Sequence, residues 1–86
     1  MGEVSYTSRA MKALKRLPAK DAQALVIKIN AYVADPKSSH DFARAMTGSQ
    51  AVRIRHGNWR AIGEWNGKNF SLFTIFAIGH RREIYR

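Results

Sequence analysis

The residues best suited to chemistry lie together near the C-terminus: His80, Arg81, Arg82 and Tyr85, which follow the apolar run Phe70 to Ile78. Arginine supplies a fixed positive charge and a fork of donors that fits a phosphate. Tyrosine supplies a hydroxyl that can give or accept a proton. A strand that leads directly into two arginines and a tyrosine therefore indicates a site that handles phosphate rather than part of a core.

Two further basic clusters predict a positively charged face on a β-hairpin. Gly57–Asn58 is a two-residue loop signal, because such turns need positive φ angles. With that loop, Arg55 lies directly across from Arg60, and strand alternation puts Arg53 on the same face. Like charges directly opposite are destabilising, and a bound phosphate backbone would offset that cost. The alternative is a solvated face that only keeps the protein soluble, and it is the simpler interpretation for Arg53 alone.

Three residues are candidates for acid–base work. Arginines close to a tyrosine favour its phenolate form, so Arg81 or Arg55 would make Tyr85 a usable base. Without such neighbours, a tyrosine at this position is more often a packing or surface residue. His56 and His80 are candidates because histidine titrates near neutral pH. The histidines of the chain are scattered along it, so the sequence predicts no metal site.

Length and charge narrow the class of protein. The chain has 86 residues, which predicts a single domain over residues 1–86. Its 15 lysines and arginines against 6 acids give a formal net charge of +9, which indicates a polyanionic partner, either nucleic acid or an acidic protein. The absence of cysteine excludes disulfides and thiol catalysis. No apolar stretch predicts a membrane span or a signal peptide, so we expect a cytoplasmic protein without a membrane partner.

A helical hairpin is predicted after a short first strand at Val4–Tyr6. The hydroxyl of Thr7 or Ser8 can accept a backbone N–H bond, which predicts the start of the first helix. Pro18 ends that helix. A strong stripe of apolar residues at helical spacing then predicts a second helix, which ends at Asp35–Pro36 because the residue before a proline disfavours the α conformation.

The second half of the chain predicts β structure. The polar segment Lys37–Gln50 is predicted as a loop with a short helical turn around Phe42–Met46 and a turn at Gly48. Gly57–Asn58 and Asn66–Gly67 are hairpin signals that separate three strands. These strands are predicted near residues 51–56, 59–65 and 69–78. The last is apolar on both faces, which predicts a central strand covered on both sides. The order β-α-α-β-β-β gives an α+β fold, with the helical hairpin packed on a small, mainly antiparallel twisted sheet.

Four segments form motifs that occur together in one protein family. Leu14-Lys15-Arg16-Leu17-Pro18 ends the first helix, and Gly48 precedes the strand Val52-Arg53-Ile54-Arg55. The two most specific segments are His56-Gly57-Asn58-Trp59-Arg60 and Ile78 to Tyr85. On these motifs the chain resembles the RelE/ParE superfamily of bacterial toxin–antitoxin modules, and in particular its RelE-like mRNA interferase branch.

This resemblance implies an activity and a set of partners. RelE-like toxins of type II systems are ribosome-dependent, metal-independent mRNA endoribonucleases that inhibit translation, and no cofactor is implied. The implied partners are the ribosome, mRNA and a cognate antitoxin, with which the toxin forms a hetero-oligomer. Charge complementarity predicts that the antitoxin segment that binds this chain is acidic and amphipathic.

The resemblance also implies roles for individual residues. Arg53 and Arg55 match the basic pair on the central strands, Arg60 matches the arginine after the hairpin turn, and Arg81 and Tyr85 match the C-terminal pair. Tyr85 would act as the base, while sequence leaves open whether Arg81 or His80 assists the leaving 5′-oxygen. The expected catalytic residues are thus Arg55, Arg60, Arg81 and Tyr85, and the expected RNA- and phosphate-binding residues are Arg53, His56, His80 and Arg82.

Two other functions are compatible with the sequence. One is a non-enzymatic inhibitor of DNA gyrase, as in the ParE branch, although ParE-like chains generally lack the set Arg60, Arg81 and Tyr85. The other is a basic binding module that has lost catalysis. The chain also departs from its apparent relatives at Gly63, where many of them carry a tyrosine or another large residue.

Overall fold

A computed structural model describes residues 2–66 and 71–84 of the chain, which form two helices and five strands. In chain order these are β1 (Glu3–Tyr6), α1 (Ser8–Arg16), α2 (Ala19–Ala34), β2 (Ala43–Ala45), β3 (Ala51–His56), β4 (Trp59–Asn66) and β5 (Leu72–His80).

The helices begin and end where the sequence predicts. The hydroxyl of Thr7 accepts a hydrogen bond from the backbone N–H of Ala10 at 3.1 Å, which satisfies one of the free donors of the first turn of α1. Pro18 separates the two helices, and Asp35 follows the last residue of α2. Neither described helix is long and apolar enough to cross a membrane.

The five strands form one mixed sheet in the order β1-β5-β4-β3-β2. β1 runs parallel to β5, and the other neighbouring strands are antiparallel. The predicted α+β class and the mainly antiparallel sheet are therefore confirmed. The last described strand, β5, is not at an edge but lies between β1 and β4.

The core lies between the helical hairpin and one face of this sheet. α1 packs mainly on β5 and α2 mainly on β3. The largest fully buried side chains come from α2, β3 and β5, and each contributes about 1.5–3 kcal/mol by leaving water; they are Leu25, Ile29, Ile54, Phe73 and Ile75. The hydroxyl of Tyr6 is buried with no hydrogen-bond partner among the described residues, and this burial raises the pKa of the phenol.

The prediction for the segment after α2 was wrong in one respect. Instead of a helical turn around Phe42–Met46, Ala43–Ala45 forms β2 and pairs with Val52–Ile54. The pairing continues on both sides, since Phe42 accepts a hydrogen bond from the N–H of Arg55 at 2.8 Å. This pairing gives the backbone groups at that edge of β3 hydrogen-bond partners within the sheet, which a helical turn around Phe42–Met46 would not supply.

The expectation that the last strand is covered on both faces was also wrong. Both helices lie on one face of the sheet, where Phe73, Ile75 and Ile78 of β5 are buried. On the same strand Phe76 is 39% exposed. The opposite face, called the open face below, is covered by neither helix.

The second predicted hairpin turn differs from its sequence signal. Gly67 lies outside the described residues, and Asn66 pairs with Leu72, so the connection between β4 and β5 is longer than two residues. The register between these strands shifts at Ile62–Gly63. This irregularity separates the distal half of the hairpin from the half that carries the basic residues.

Candidate active site

Arginines from three adjacent strands meet on the open face of the sheet. Arg55 of β3 pairs directly with Arg60 of β4, as the loop at Gly57–Asn58 predicts. Arg53 lies two residues before Arg55 on the same face, and it pairs with Arg44 of β2. This group of arginines (Arg44, Arg53, Arg55 and Arg60) is called the basic face below. Sequence reasoning missed Arg44 because it predicted no strand there.

The hairpin turn fixes the position of the Arg60 side chain. Gly57 has a φ of 57°, a conformation that favours glycine. The Arg60 guanidinium donates hydrogen bonds to the carbonyl oxygens of Gly57 at 2.7 Å and Trp59 at 2.8 Å. These contacts occupy Nη1 only, and Arg60 forms no ion pair with a carboxylate within residues 2–66 and 71–84. The guanidinium is therefore held in place while most of its donors stay available to an anion.

The same turn anchors the segment that follows β5. The backbone N–H of Arg81 donates to the carbonyl oxygen of Asn58 at 2.7 Å. The chain then turns, since the N–H of Ile84 donates to the carbonyl of His80 at 3.0 Å. Arg81 and Arg82 are both exposed. These backbone contacts place the segment that carries Arg81 and Arg82 beside the hairpin turn that precedes Arg60, although the two are far apart in sequence.

His80 has a positioning contact within this segment. Its Nδ1 accepts a hydrogen bond from the backbone N–H of Arg82 at 3.2 Å. Its ring also meets the ring of Trp59 edge to face, with centroids 5.5 Å apart. His80 therefore links the C-terminal turn to β4. Tyr85, the residue expected to act as a base, lies outside the described residues.

His56 lies on the other face of the sheet from the basic face. Its Nε2 is 3.4 Å from Oδ1 of Asp21, and its Nδ1 is 3.1 Å from Nζ of Lys28. A lysine ammonium can only donate, so Nδ1 of His56 accepts and the ring carries its proton on Nε2, toward Asp21. The structure therefore joins His56 to α2 and does not bring it beside Arg55 and Arg60.

Asp21 ties α2 to the hairpin through a second contact. The indole N–H of Trp59 donates to Oδ2 of Asp21 at 3.3 Å. Asp21 also lies in the first turn of α2, where a negative charge is favourable. Sequence reasoning missed Asp21 and Lys28, because a lone acid and a lone lysine on a helix carry no signal of their partner on a distant strand.

Neither a protein-family model nor a curated protein sequence matches the chain. Solved structures do match it over nearly its whole length. The RelBE2 toxin–antitoxin complex of Mycobacterium tuberculosis contains a chain that is 18% identical, with a TM-score of 0.73 over 93% of this chain and 98% of that one.

Two further solved structures match the chain with similar TM-scores. In the archaeal RelE–RelB complex of Pyrococcus horikoshii the matching chain is 22% identical, with a TM-score of 0.74 and coverage of 95% of this chain and 97% of that one. The isolated E. coli RelE toxin is 17% identical, with a TM-score of 0.73 and coverage of 99% and 92%. The two helices and the five-stranded mixed sheet of this protein therefore have the fold of the RelE toxins.

Proposed function

We propose that the protein is the toxin of a type II toxin–antitoxin pair and cleaves mRNA on the ribosome. The observation that carries this proposal is the pairing of Arg55 with Arg60 at a hairpin turn to which the backbone of Arg81 is hydrogen-bonded, in a chain with the fold of RelE toxins. Neither Arg55 nor Arg60 has a carboxylate partner in the part of the chain that the structure describes. Arginines so arranged fit an anion that comes from outside the protein, and a phosphodiester is such an anion.

The proposed reaction needs a base and positive charge but no bound cofactor. The 2′-oxygen of a ribose attacks the adjacent phosphorus while the bond to the 5′-oxygen of the next nucleotide breaks. The products are a 2′,3′-cyclic phosphate and a free 5′-hydroxyl. One proton leaves the attacking 2′-hydroxyl and one must reach the leaving 5′-oxygen. Negative charge increases on the non-bridging oxygens, and fixed cations stabilise it most where they are already oriented.

The residues take the following roles in this proposal. Tyr85 accepts the proton of the 2′-hydroxyl, and Arg60 and Arg81 stabilise the charge on the phosphate. Arg55 binds phosphate or favours the phenolate of Tyr85. The proton for the leaving 5′-oxygen comes from Arg81 or His80; to supply it, His80 would have to leave the face that it shares with Trp59 and give up the hydrogen bond that its Nδ1 accepts from the Arg82 N–H.

The remaining arginines bind the strand rather than the reacting atoms. Arg53 extends the positive charge along β3, and Arg82 is exposed beside Arg81. Contacts from such residues to phosphates position a nucleic acid without reading its bases. The RelE chains in the compared complexes are bound to RelB antitoxins, and by analogy the proposal includes a cognate antitoxin that neutralises the basic face.

The test is to incubate the purified protein with ribosomes programmed with a defined mRNA and to map the cleavage sites. We expect cleavage in the codon of the A site, and we expect Tyr85→Phe to reduce its rate at least ~100-fold, the usual contribution of general acid–base catalysis. Thermal unfolding serves as the control, since the Phe variant keeps the ring. Wild-type cleavage by the Phe variant would remove Tyr85 from the mechanism. No cleavage by the wild-type protein, together with inhibition of DNA gyrase, would replace the proposal by the ParE-like alternative.

A further inference from the structure

A cleft of about 450 Å³ opens at the corner where β3 extends beyond its partner β2. The last pair of these strands is Ala43 with Ile54, and the N–H of Arg55 donates to the carbonyl of Phe42. Beyond that point β3 has no neighbour on this side among the described residues. The cleft therefore lies between α2 and the hairpin turn, at the border of the basic face. Its lining residues are Lys28, Asp41, Phe42, Arg55 and Gly57.

Lys28 is held at this cleft by two contacts. Its ammonium lies 3.1 Å from Nδ1 of His56 and 5.8 Å from the centre of the Phe42 ring. The hydrogen bond uses one of the three donors of the ammonium. A half-buried lysine fixed in this way loses little side-chain entropy when it binds an anion, in contrast to a lysine that is free in solvent.

Arg55 reaches the same cleft from the sheet. Within residues 2–66 and 71–84 its side chain makes one hydrogen bond, a long one from Nη2 to the carbonyl oxygen of Asp41 at 3.5 Å. It has no carboxylate partner in the described ranges, and its pairing opposite Arg60 is repulsive. Two cations from different elements thus line one cleft, and the carboxylate of Asp41 is the one acid among its lining residues.

We propose that this cleft binds a phosphodiester group of the RNA strand, with Lys28 and Arg55 as its ligands. The inference rests on the proposed function and extends the RNA site from the open face of the sheet to α2. Arg55 belongs to both surfaces, so it connects the cleft to the basic face. The phosphate would also meet the edge of the hairpin turn at Gly57, whose missing side chain leaves the approach open.

The test measures binding without cleavage or ribosomes. The probe is a trinucleotide with 2′-O-methyl groups, which lacks the attacking hydroxyl, and the readout is the NMR shift of the Gly57 amide as salt is varied. Lys28→Gln removes the charge but can still donate to His56. Lys20→Gln is the matched control, since it removes the same charge from an exposed position on α2. Asp41→Asn removes the acid from the cleft.

We expect Lys28→Gln to weaken binding of the trinucleotide roughly tenfold at low salt and to reduce the slope of log K against log salt by ~0.7, the value for one lost phosphate contact on a single strand. Lys20→Gln should leave that slope and the Gly57 shift unchanged, and Asp41→Asn should strengthen binding. A half-buried lysine that only supports His56 would not change the salt slope.

Three results would overturn the inference: equal affinity and slope for Lys28→Gln and wild type, no Gly57 shift in the wild-type protein, or inorganic phosphate bound as tightly as the trinucleotide. These results are distinct from a failure of the proposed function. A protein that cleaves mRNA but shows no effect of Lys28→Gln retains its function and loses this site. A protein that binds the trinucleotide through Lys28 but never cleaves retains the site and loses the function.

Discussion

Gly63 offers a sharp test of the packing between β4 and β5. A Cβ at this position would lie 2.8 Å from the backbone oxygen of Thr74 and 2.9 Å from side-chain atoms of both Ile75 and Phe73. The oxygen belongs to the sheet and cannot move without a shift of β5, and the two side chains are part of the buried core. This close approach of the two strands thus requires glycine at position 63.

We expect Gly63→Ala to destabilise the protein by about 2 kcal/mol, within the range of ~1–3 kcal/mol for an overpacked core. For a domain of this size that corresponds to a fall in melting temperature of roughly 8–16 °C. Thermal unfolding followed by circular dichroism measures it directly. Gly79→Ala is the matched control on the neighbouring strand, because the nearest heavy atom to its added Cβ is 3.9 Å away.

The control variant should melt at or slightly above the wild-type temperature, since alanine restricts the unfolded chain more than glycine does. The comparison between the two variants separates a steric effect from a general intolerance of alanine in these strands. If Gly63→Ala melts within about 2 °C of Gly79→Ala, the close approach between β4 and β5 is not what requires glycine at position 63.

Three further predictions concern the core, the site and the partner. Tyr6→Phe should raise stability by about 1 kcal/mol, since it removes a buried hydroxyl without a described partner. Burial raises the pKa of Tyr6 in the folded state, whereas the unfolded chain ionises near pH ~10. The free energy of unfolding of the wild-type protein should therefore fall as the pH rises above ~10, and that of Tyr6→Phe should fall less. Arg60→Ala and Arg81→Ala should slow single-turnover cleavage more than they weaken ribosome binding, whereas Lys37→Ala should change neither; the converse pattern would make both arginines docking residues. A cognate antitoxin should associate faster at low salt and raise the melting temperature, and a salt-independent rate without a thermal shift would contradict neutralisation through charge.

The sequence predicts most of the features that depend on neighbouring residues. The cap at Thr7, the break at Pro18 and the pairing of Arg55 with Arg60 all follow from rules that act over a few positions, and the structure agrees with each. The face shared by the arginines follows from that register. Local rules were sufficient for the pairing because the turn type and the alternation of side chains along a strand leave few other registers.

The features that sequence reasoning missed depend on contacts between distant segments. β2 is three residues long and is held by its pairing with β3. A segment this short shows no periodicity that would predict a strand. Asp21 and Lys28 could not be predicted as site residues for the same reason. Their contacts to Trp59 and His56 join α2 to strands much later in the chain. Arg44 became part of the basic face only through β2. Each miss thus follows from one tertiary contact and not from an unusual residue.

The position of β5 between β1 and β4 has a consequence for the order of folding. Of the five described strands β1 is made first, yet among them it pairs only with β5, so it stays without that partner until β5 has been synthesised. Contacts between such distant segments also form slowly, because a long loop must close first. Arg81 follows β5 and reaches the hairpin turn only when β5 is in place. A growing chain can therefore form the hairpin of β3 and β4, with Arg55 opposite Arg60, before Arg81 joins it. The topology thus delays completion of the candidate site until β5 and Arg81 have been synthesised.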